Sequence, residues 1–368
     1  MYLKKLHLHQ FKNYETAELS FGPGINALLG TNGTGKTNLL DAVYYLSLTK
    51  SAFNPIDQQN IMHNLDMFVL RGEFETGKKK QEVVCHVQQG QKKVFKVDKS
   101  AYLKVSEHIG LIPVVMIAPH DAEIIMEGSE IRRKFFDSIV SQYDKPYLDC
   151  LLDYANALRQ RNSLLKIFAE QNRFDKAQME PWNRKLLQLG KVLHESRKTL
   201  IEEFLPLFLE HYAQLSEGRE DVNISYYSDW FEKDHIQLFE QNIKQDLGLR
   251  RSAMGAHKDE FEFLIGGYPL KKFGSQGQQK SFLIALKLAQ FDLIKQKSGK
   301  IPILLLDDIF DKLDDRRIAR LIALASGEAF GQLFITDARP ERTLGILEQI
   351  PLKHCVYLLN NGEIQKLS

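Results

Sequence analysis

Apolar positions along the chain change their period, and the changes mark out its parts. Leu3, Leu6 and Leu8 alternate with polar neighbours, and "YETAELSF" continues the alternation, as in strands. "INALLG" (25–30) is an unbroken apolar run that reads as a buried strand, and "KTNLLDAVYYLSL" (36–48) switches to helical spacing. Alternation returns over 68–104 in "FVLRGEF", "QEVVCHV" and "KVFKV", with a turn at "QQGQ", which predicts meandering strands. From Ser129 the texture is helical. Phe136, Val140, Tyr143, Tyr147, Leu151, Tyr154 and Leu158 recur at threes and fours, in a stripe that Pro146 bends or divides. After polar "EQNRFDKAQME", Pro181 opens a second helical run, and the two make an antiparallel hairpin. "VNISYY" reads as a strand, 234–247 as a helix, and "DEFEFLI-GG-YPLKKF" as a hairpin turned by its glycine pair. A helix over "SFLIALKLAQFDLI" then leads to the apolar strands "IPILLLDD" and "QLFITDARP". The pattern predicts an α/β fold interrupted by helices: an N-terminal part at 1–125, an inserted helical arm at 126–250, and a C-terminal part at 251–368.

Composition changes this picture little. At 368 residues the chain exceeds an average domain, as a large domain carrying an insertion would. Its 43% hydrophobic and 26% charged residues are those of an ordinary soluble globular protein. No apolar run approaches the roughly 20 residues of a membrane span, and "MYLKKLHLHQF" lacks the apolar core of a signal peptide. A cytoplasmic protein without membrane partners is therefore expected. Cys85, Cys150 and Cys355 lie far apart without metal-ligand spacing, as reduced core cysteines would. A net charge of +2 neither demands nor excludes a nucleic-acid partner. Lys78, Lys79, Lys80, Lys92, Lys93, Lys96 and Lys99 fit either a guarded sheet edge or a contact to a phosphate backbone.

Chemistry enters at "GTNGTGKT". Gly30, Thr31, Asn32, Gly33, Thr34, Gly35, Lys36 and Thr37 fit the phosphate-loop pattern G-x-x-x-x-G-K-[ST], between a predicted strand and a predicted helix. Glycines let backbone N–H groups curl around phosphate oxygens; Lys36 would reach the β- and γ-phosphates of ATP, and Thr37 would ligate Mg²⁺. "ILLLDD" supplies the acid that such a site needs: Asp307 emerges at the carboxyl end of a strand to hold the metal. Asp308 follows, placed to orient or deprotonate an attacking water. "GSQGQQKS" (274–281) raises a different question, because glycines and a serine opening a helix make a second anion site when the nucleotide already has one. Either Ser275 caps a core helix, or the stretch meets a γ-phosphate held by another copy of the chain.

The order of phosphate loop, helical insertion, serine-glycine-glutamine loop and acidic strand resembles the ABC-type ATPases of the SMC family. "FKNY" (11–14), "APHDAEIIMEGSEIRRKFFD" (118–137), "GAHKDEFEF" (255–263), "FGSQGQQKSFLIALKLAQ" (273–290) and "LLLDDIFDKLDDRR" (304–317) are similar to the RecF branch, bacterial proteins of DNA replication and repair. The resemblance covers essentially the whole chain. It implies a P-loop ABC-type ATPase head with a β-rich lobe and a helical-hairpin arm in place of a long coiled coil. By the same resemblance Lys36 and Asp308 are catalytic, and Ser275, Gly277 and Gln278 cap the ATP of a partner. Asp311 and Asp314 belong to a loop crossing the dimer interface, and Lys12 and Asn13 match a basic loop near the nucleotide.

The sequence also departs from the family's pattern. Asp308 stands where many ABC-type ATPases have glutamate, and Asp337 where they commonly have histidine. Phe53 stands where an arginine is expected, and His120 in "APHD" is a candidate for the place of a loop glutamine. Together these predict slow hydrolysis. The implied function is an ATP-driven homodimer that binds gapped or single-stranded/double-stranded junction DNA and works with RecO and RecR in loading recombinase, its weak ATPase stimulated by DNA. Arg132, Arg133, Arg250 and Arg251 are candidate DNA contacts. The alternative is another SMC-like ATPase, or a transporter-type ABC subunit. The helical insertion, the strands before the phosphate loop and the paired acids argue against the transporter.

Overall fold

The computed structural model describes residues 1–216, 218, 220–229, 239, 241–308, 331–348, 354–360 and 363–367. The chain forms two compact units, residues 1–121 with 286–368, and residues 122–285. On the N-terminal side the division lies at 121/122, the expected boundary being 125/126. On the C-terminal side it lies inside the Gln276–Ser298 helix instead of at 250/251, because the strands after 250 pair with one before it.

The first unit holds two sheets. Strands β1 (Tyr2–Phe11), β2 (Tyr14–Ser20), β4 (Met67–Thr76), β5 (Lys79–Gln88), β6 (Val94–Val97) and β7 (Ser100–Ala101) form an antiparallel sheet in the order β2-β1-β4-β5-β6-β7. In β1 the alternation breaks where the pairing with β4 shifts register between Leu3 and Lys5, so that both Leu3 and Leu6 stay in the core. Strands β3 (Ile25–Leu29), β8 (Val114–Ile117), β12 (Ile303–Leu306), β13 (Leu333–Asp337), β14 (His354–Asn360) and β15 (Glu363–Lys366) form the other, in the order β15-β14-β3-β13-β12-β8. Every pairing in it is parallel except that of β15 with β14. β3, β8, β12 and β13 are buried at every position, which is why they read as apolar runs without alternation.

Between the sheets lies the Lys36–Leu48 helix, touching β4 and β5 on one side and β8 and β13 on the other. Leu39, Leu40, Ala42, Val43, Tyr45, Leu46 and Leu48 are all buried, so it is apolar nearly all round. One core runs through it from Leu3 and Phe68 to Leu305 and Phe334. The helix that follows the phosphate loop is thus held rigidly from two directions.

In the second unit the predicted arm is a helical pair, Lys145–Gln171 and Lys176–Ser216, of about 40 and about 60 Å at 1.5 Å per residue. Pro146 divides the first helical run from Ser129–Ser141, and it sits in the opening turn of its helix, where Asp144 caps Tyr147 N–H at 2.9 Å. Pro181 does not open the second helix, which begins at Lys176. Asp175 accepts from Gln178 N–H at 3.2 Å and starts the helix upstream, leaving Pro181 and Pro206 inside. β9 (Val222–Tyr227), β10 (Glu260–Ile265) and β11 (Tyr268–Pro269) form a small antiparallel sheet with β10 central. Phe136, Phe204, Phe208, Phe261 and Phe282 pack this unit's core, Phe136 against Phe261 at 4.3 Å and Phe208 against Phe282 at 4.5 Å between ring centroids. The helix expected at 234–247 falls largely outside the described residues; a short helix, Ile243–Leu249, follows a turn at Asn242.

Candidate functional site

Residues 30–37 join β3 to the Lys36–Leu48 helix at the carboxyl edge of the parallel sheet. Two glycines there are obligatory. Gly30 has φ 151°, and a Cβ on it would lie 2.2 Å from the Leu359 carbonyl oxygen. Gly35 has φ 98°, and a Cβ would meet Asn13 Nδ2 and Tyr14 Oη at 2.6 Å each. The Lys36 ammonium is buried and donates to the carbonyls of Gly30 at 2.8 Å and Thr31 at 2.9 Å, curling over its own loop. Thr34 Oγ1 donates to the same Thr31 carbonyl at 2.9 Å. The loop's shape is therefore fixed by its own side chains.

The acidic strand end meets this loop. Thr37 Oγ1 lies 2.9 and 3.1 Å from the two carboxylate oxygens of Asp307. Thr336 Oγ1 donates to Asp307 Oδ1 at 2.8 Å and accepts from Asp308 N–H at 3.0 Å. Burial pushes the Asp307 carboxyl above its ordinary range; the Thr336 and Thr37 hydroxyls pull it back, and the Asp308 charge pushes it further up. Asp308 takes the left-handed backbone conformation, φ 45°. Among the described residues no group of three or more His, Cys, Asp and Glu could hold a metal by itself. The Thr37 hydroxyl beside the Asp307 carboxylate is a donor set that would suit Mg²⁺, which is bound through one or two carboxylates plus substrate phosphates. A threonine hydroxyl whose proton goes to a carboxylate turns its lone pair outward, as a ligand to such an ion must.

The serine-glycine-glutamine loop precedes the Gln276–Ser298 helix. Ser275 N–H donates to Gln278 Oε1 at 2.7 Å, and Gln278 N–H donates to Ser275 Oγ at 3.3 Å: a reciprocal capping box. Gln278 Nε2 also donates to Glu220 Oε1 at 2.9 Å, so its amide is held at both ends within the chain. Ser275 is exposed. Asp311 and Asp314 lie outside the described residues.

Residues 2–350 match the family described as RecF/RecN/SMC N terminal domain. The DNA replication and repair protein RecF of Flavobacterium johnsoniae is 49% identical over 348 residues, covering 95% of this chain and 97% of that protein. Its counterpart in Phocaeicola vulgatus is 45% identical over 366 residues, covering 99% and 98%. The chain belongs to the RecF family. A solved structure of the recombination mediator protein RecF with ATP, in the RecFOR pathway, superposes with a TM-score of 0.89 at 28% identity, covering 100% of this chain and 98% of that one. The fold is accordingly an SMC/RecF-type ATPase head.

Against that RecF fold the departures acquire geometry. Asp337 is buried and turned into the protein, accepting from Thr343 Oγ1 at 2.6 Å and pairing with Arg342 at 2.9 Å, while its carbonyl accepts from Gly30 N–H at 3.2 Å. It ties the phosphate loop to β13 through its backbone. The His120 ring packs edge-on to Phe53 at 4.8 Å, its Nδ1 buried without a hydrogen-bond partner among the described residues. Lys12 is paired with buried Asp41 at 2.6 Å, and Asp41 also holds Ser51 Oγ and Ala52 N–H. Asn13 borders the loop through Asn38 Nδ2 at 2.6 Å.

Two arginines singled out as DNA contacts are likewise engaged internally. Arg132 forks onto Glu260 at 2.9 and 3.1 Å, and Arg133 donates to the Asp259 carbonyl. Lys93 bonds Asp57 and the Thr49 carbonyl, whereas Lys78, Lys79, Lys80, Lys92, Lys96, Lys99, Arg250 and Arg251 are exposed. Thr336 belongs to no motif read from the sequence. Its only signal was its place beside Asp337 at the end of an apolar strand.

Proposed function

We propose that the chain is an ATP-switched DNA-binding protein of replication and recombinational repair that works as a homodimer. One observation carries the reading: the Thr37–Asp307 contact joins a complete phosphate loop to the acidic end of β12. In this reading the N–H groups of residues 30–37 and Lys36 hold the phosphates of ATP, with Thr37 and Asp307 holding Mg²⁺. When bound there, Mg²⁺ would supply charge neutralisation for the phosphates. Asp308 orients the attacking water as its base. Ser275, Gly277 and Gln278 of one copy meet the γ-phosphate bound by the other, using the positive end of the Gln276–Ser298 helix. Asp311 and Asp314 belong to the same interface.

Residues 126–250 form an arm, and the closed dimer holds gapped or junction DNA against it until hydrolysis reopens the pair. RecO and RecR are the expected partners in loading recombinase, as the RecFOR description of the solved relative suggests. Hydrolysis is slow and DNA-stimulated, since Asp308 is one methylene shorter than glutamate and Asp337 is turned inward. Among the described residues no helix is long and apolar enough to cross a membrane.

The test is self-association and DNA binding with and without MgATP, for the unaltered chain, Lys36→Ala and Ser275→Arg. Dimers are expected only for the unaltered chain with ATP, while Ser275→Arg still binds nucleotide as a monomer. Normal dimerisation of Ser275→Arg would refute the role of the loop across an interface.

A further inference from the structure

We infer that Thr336 is a positioning residue that sets both acids of the hydrolytic site through one hydroxyl. The inference rests on the ATP-hydrolysis reading above. Thr336 is fully buried on β13, beside β12 in parallel register. Its Oγ1 accepts from Asp308 N–H at 3.0 Å, and its single proton goes to Asp307 Oδ1 at 2.8 Å. A hydroxyl has one proton, so accepting from the backbone fixes where that proton points. Thr37 Oγ1 meets the same carboxylate, 2.9 Å from Oδ1 and 3.1 Å from Oδ2. The hydrogen-bonded path therefore runs from the phosphate loop through Asp307 and Thr336 to the Asp308 backbone.

Asp308 needs such a clamp. It is the second residue after a fully buried strand, and it turns away in the left-handed region, φ 45°, which is uncommon for non-glycine residues though aspartate enters it more readily than most. The N–H bond to Thr336 is a fixed point on that turn, from which the short Asp308 side chain departs. Thr336 touches neither nucleotide nor water in this scheme. It acts through the two carboxylates it orients.

Thr336→Val keeps the shape and the β-branch and removes only the hydroxyl; Thr336→Ser restores the hydroxyl. Single-turnover hydrolysis of MgATP on duplex DNA and equilibrium nucleotide binding are measured for both, beside Lys36→Ala. Expected for Thr336→Val is a hydrolysis rate lower by about tenfold to a hundredfold, the range a misplacement of order 1 Å produces. Nucleotide affinity should stay within about threefold, because the phosphate cradle of residues 30–36 is untouched. Thr336→Ser should recover most of the rate. An unchanged rate in Thr336→Val overturns the inference. So does a loss that Thr336→Ser shares equally, or one that appears only as weakened nucleotide binding. If Lys36→Ala hydrolyses ATP as fast as the unaltered chain, the ATP-site reading fails, whatever Thr336 does.

Discussion

Asparagine and aspartate enter the left-handed backbone region several-fold more often than other non-glycine residues, and Asp308 occupies it at φ 45°. The short acid thus suits the turn it has to make. Asp308→Asn is nearly isosteric and suits it equally, so it should fold and bind MgATP normally. As the loss of a positioned base it should slow hydrolysis by about 10²- to 10⁴-fold and leave ATP-held dimers to accumulate. Single-turnover hydrolysis alongside light scattering checks this, and an unchanged rate would remove Asp308 from the chemistry. Lys36, Thr37, Asp307 and Asp308 were legible in the sequence because each lies in a contiguous motif whose chemistry is local. Thr336 was not, since only the parallel pairing of β12 with β13 brings its hydroxyl to both acids.

At the scale of elements, the Gln276–Ser298 helix answers the question its opening residues raised in sequence. The cap is present: Ser275 and Gln278 satisfy each other's backbone donors. A cap and a phosphate contact are separable by charge. Ser275→Asp retains a good cap, since aspartate ranks with serine at that position, but sets a carboxylate where a γ-phosphate is proposed to sit. It should cost under about 0.5 kcal/mol of stability and abolish ATP-dependent dimerisation. Ser275→Ala should cost about 1 kcal/mol through the lost cap with dimerisation weakened less. Thermal unfolding and sedimentation with MgATP distinguish the two, and a Ser275→Asp chain that dimerises normally contradicts the phosphate contact. Elements with long periodic stripes or complete motifs were readable from sequence, the Lys36–Leu48 helix down to its ends. Short or capped features were not. Val114–Ile117 is an apolar run too brief for periodicity to assign, and Pro181 outweighed Asp175, which starts the helix earlier.

Over the whole molecule, alternation identified the antiparallel strands, but neither the strand order of the two sheets nor the grouping of 251–285 with the arm could follow from it, since both depend on distant pairings such as β10 with β9. The same distant packing buries His108 in the first unit and partly buries His257 in the second. His108 donates from Nε2 to the Leu46 carbonyl with Nδ1 buried and unpartnered among the described residues, and burial lowers its pKa from 6.5 to about 4. His257 bonds the Ser252 carbonyl through Nε2 and the Tyr154 hydroxyl through Nδ1, and burial lowers its pKa to about 4 as well. Both are neutral when folded. Between pH 6.5 and about 4 the unfolded chain takes up protons that the folded chain refuses, so stability falls as pH falls through that window. At pH 5 each histidine accounts for a loss of about 2 kcal/mol relative to pH 7 or above. Glutamine can still donate to the Leu46 carbonyl without taking up a proton. His108→Gln should therefore flatten the pH dependence contributed by residues 1–121 with 286–368, and His257→Gln that of residues 122–285. Urea unfolding at pH 8, 7, 6 and 5 checks this, with proteolysis resolving which unit opens first. The unaltered chain should lose little between pH 8 and 7 and progressively more below 6.5. If His108→Gln shows the same fall from pH 7 to 5 as the unaltered chain, the buried neutral imidazole is not what makes the first unit acid-sensitive.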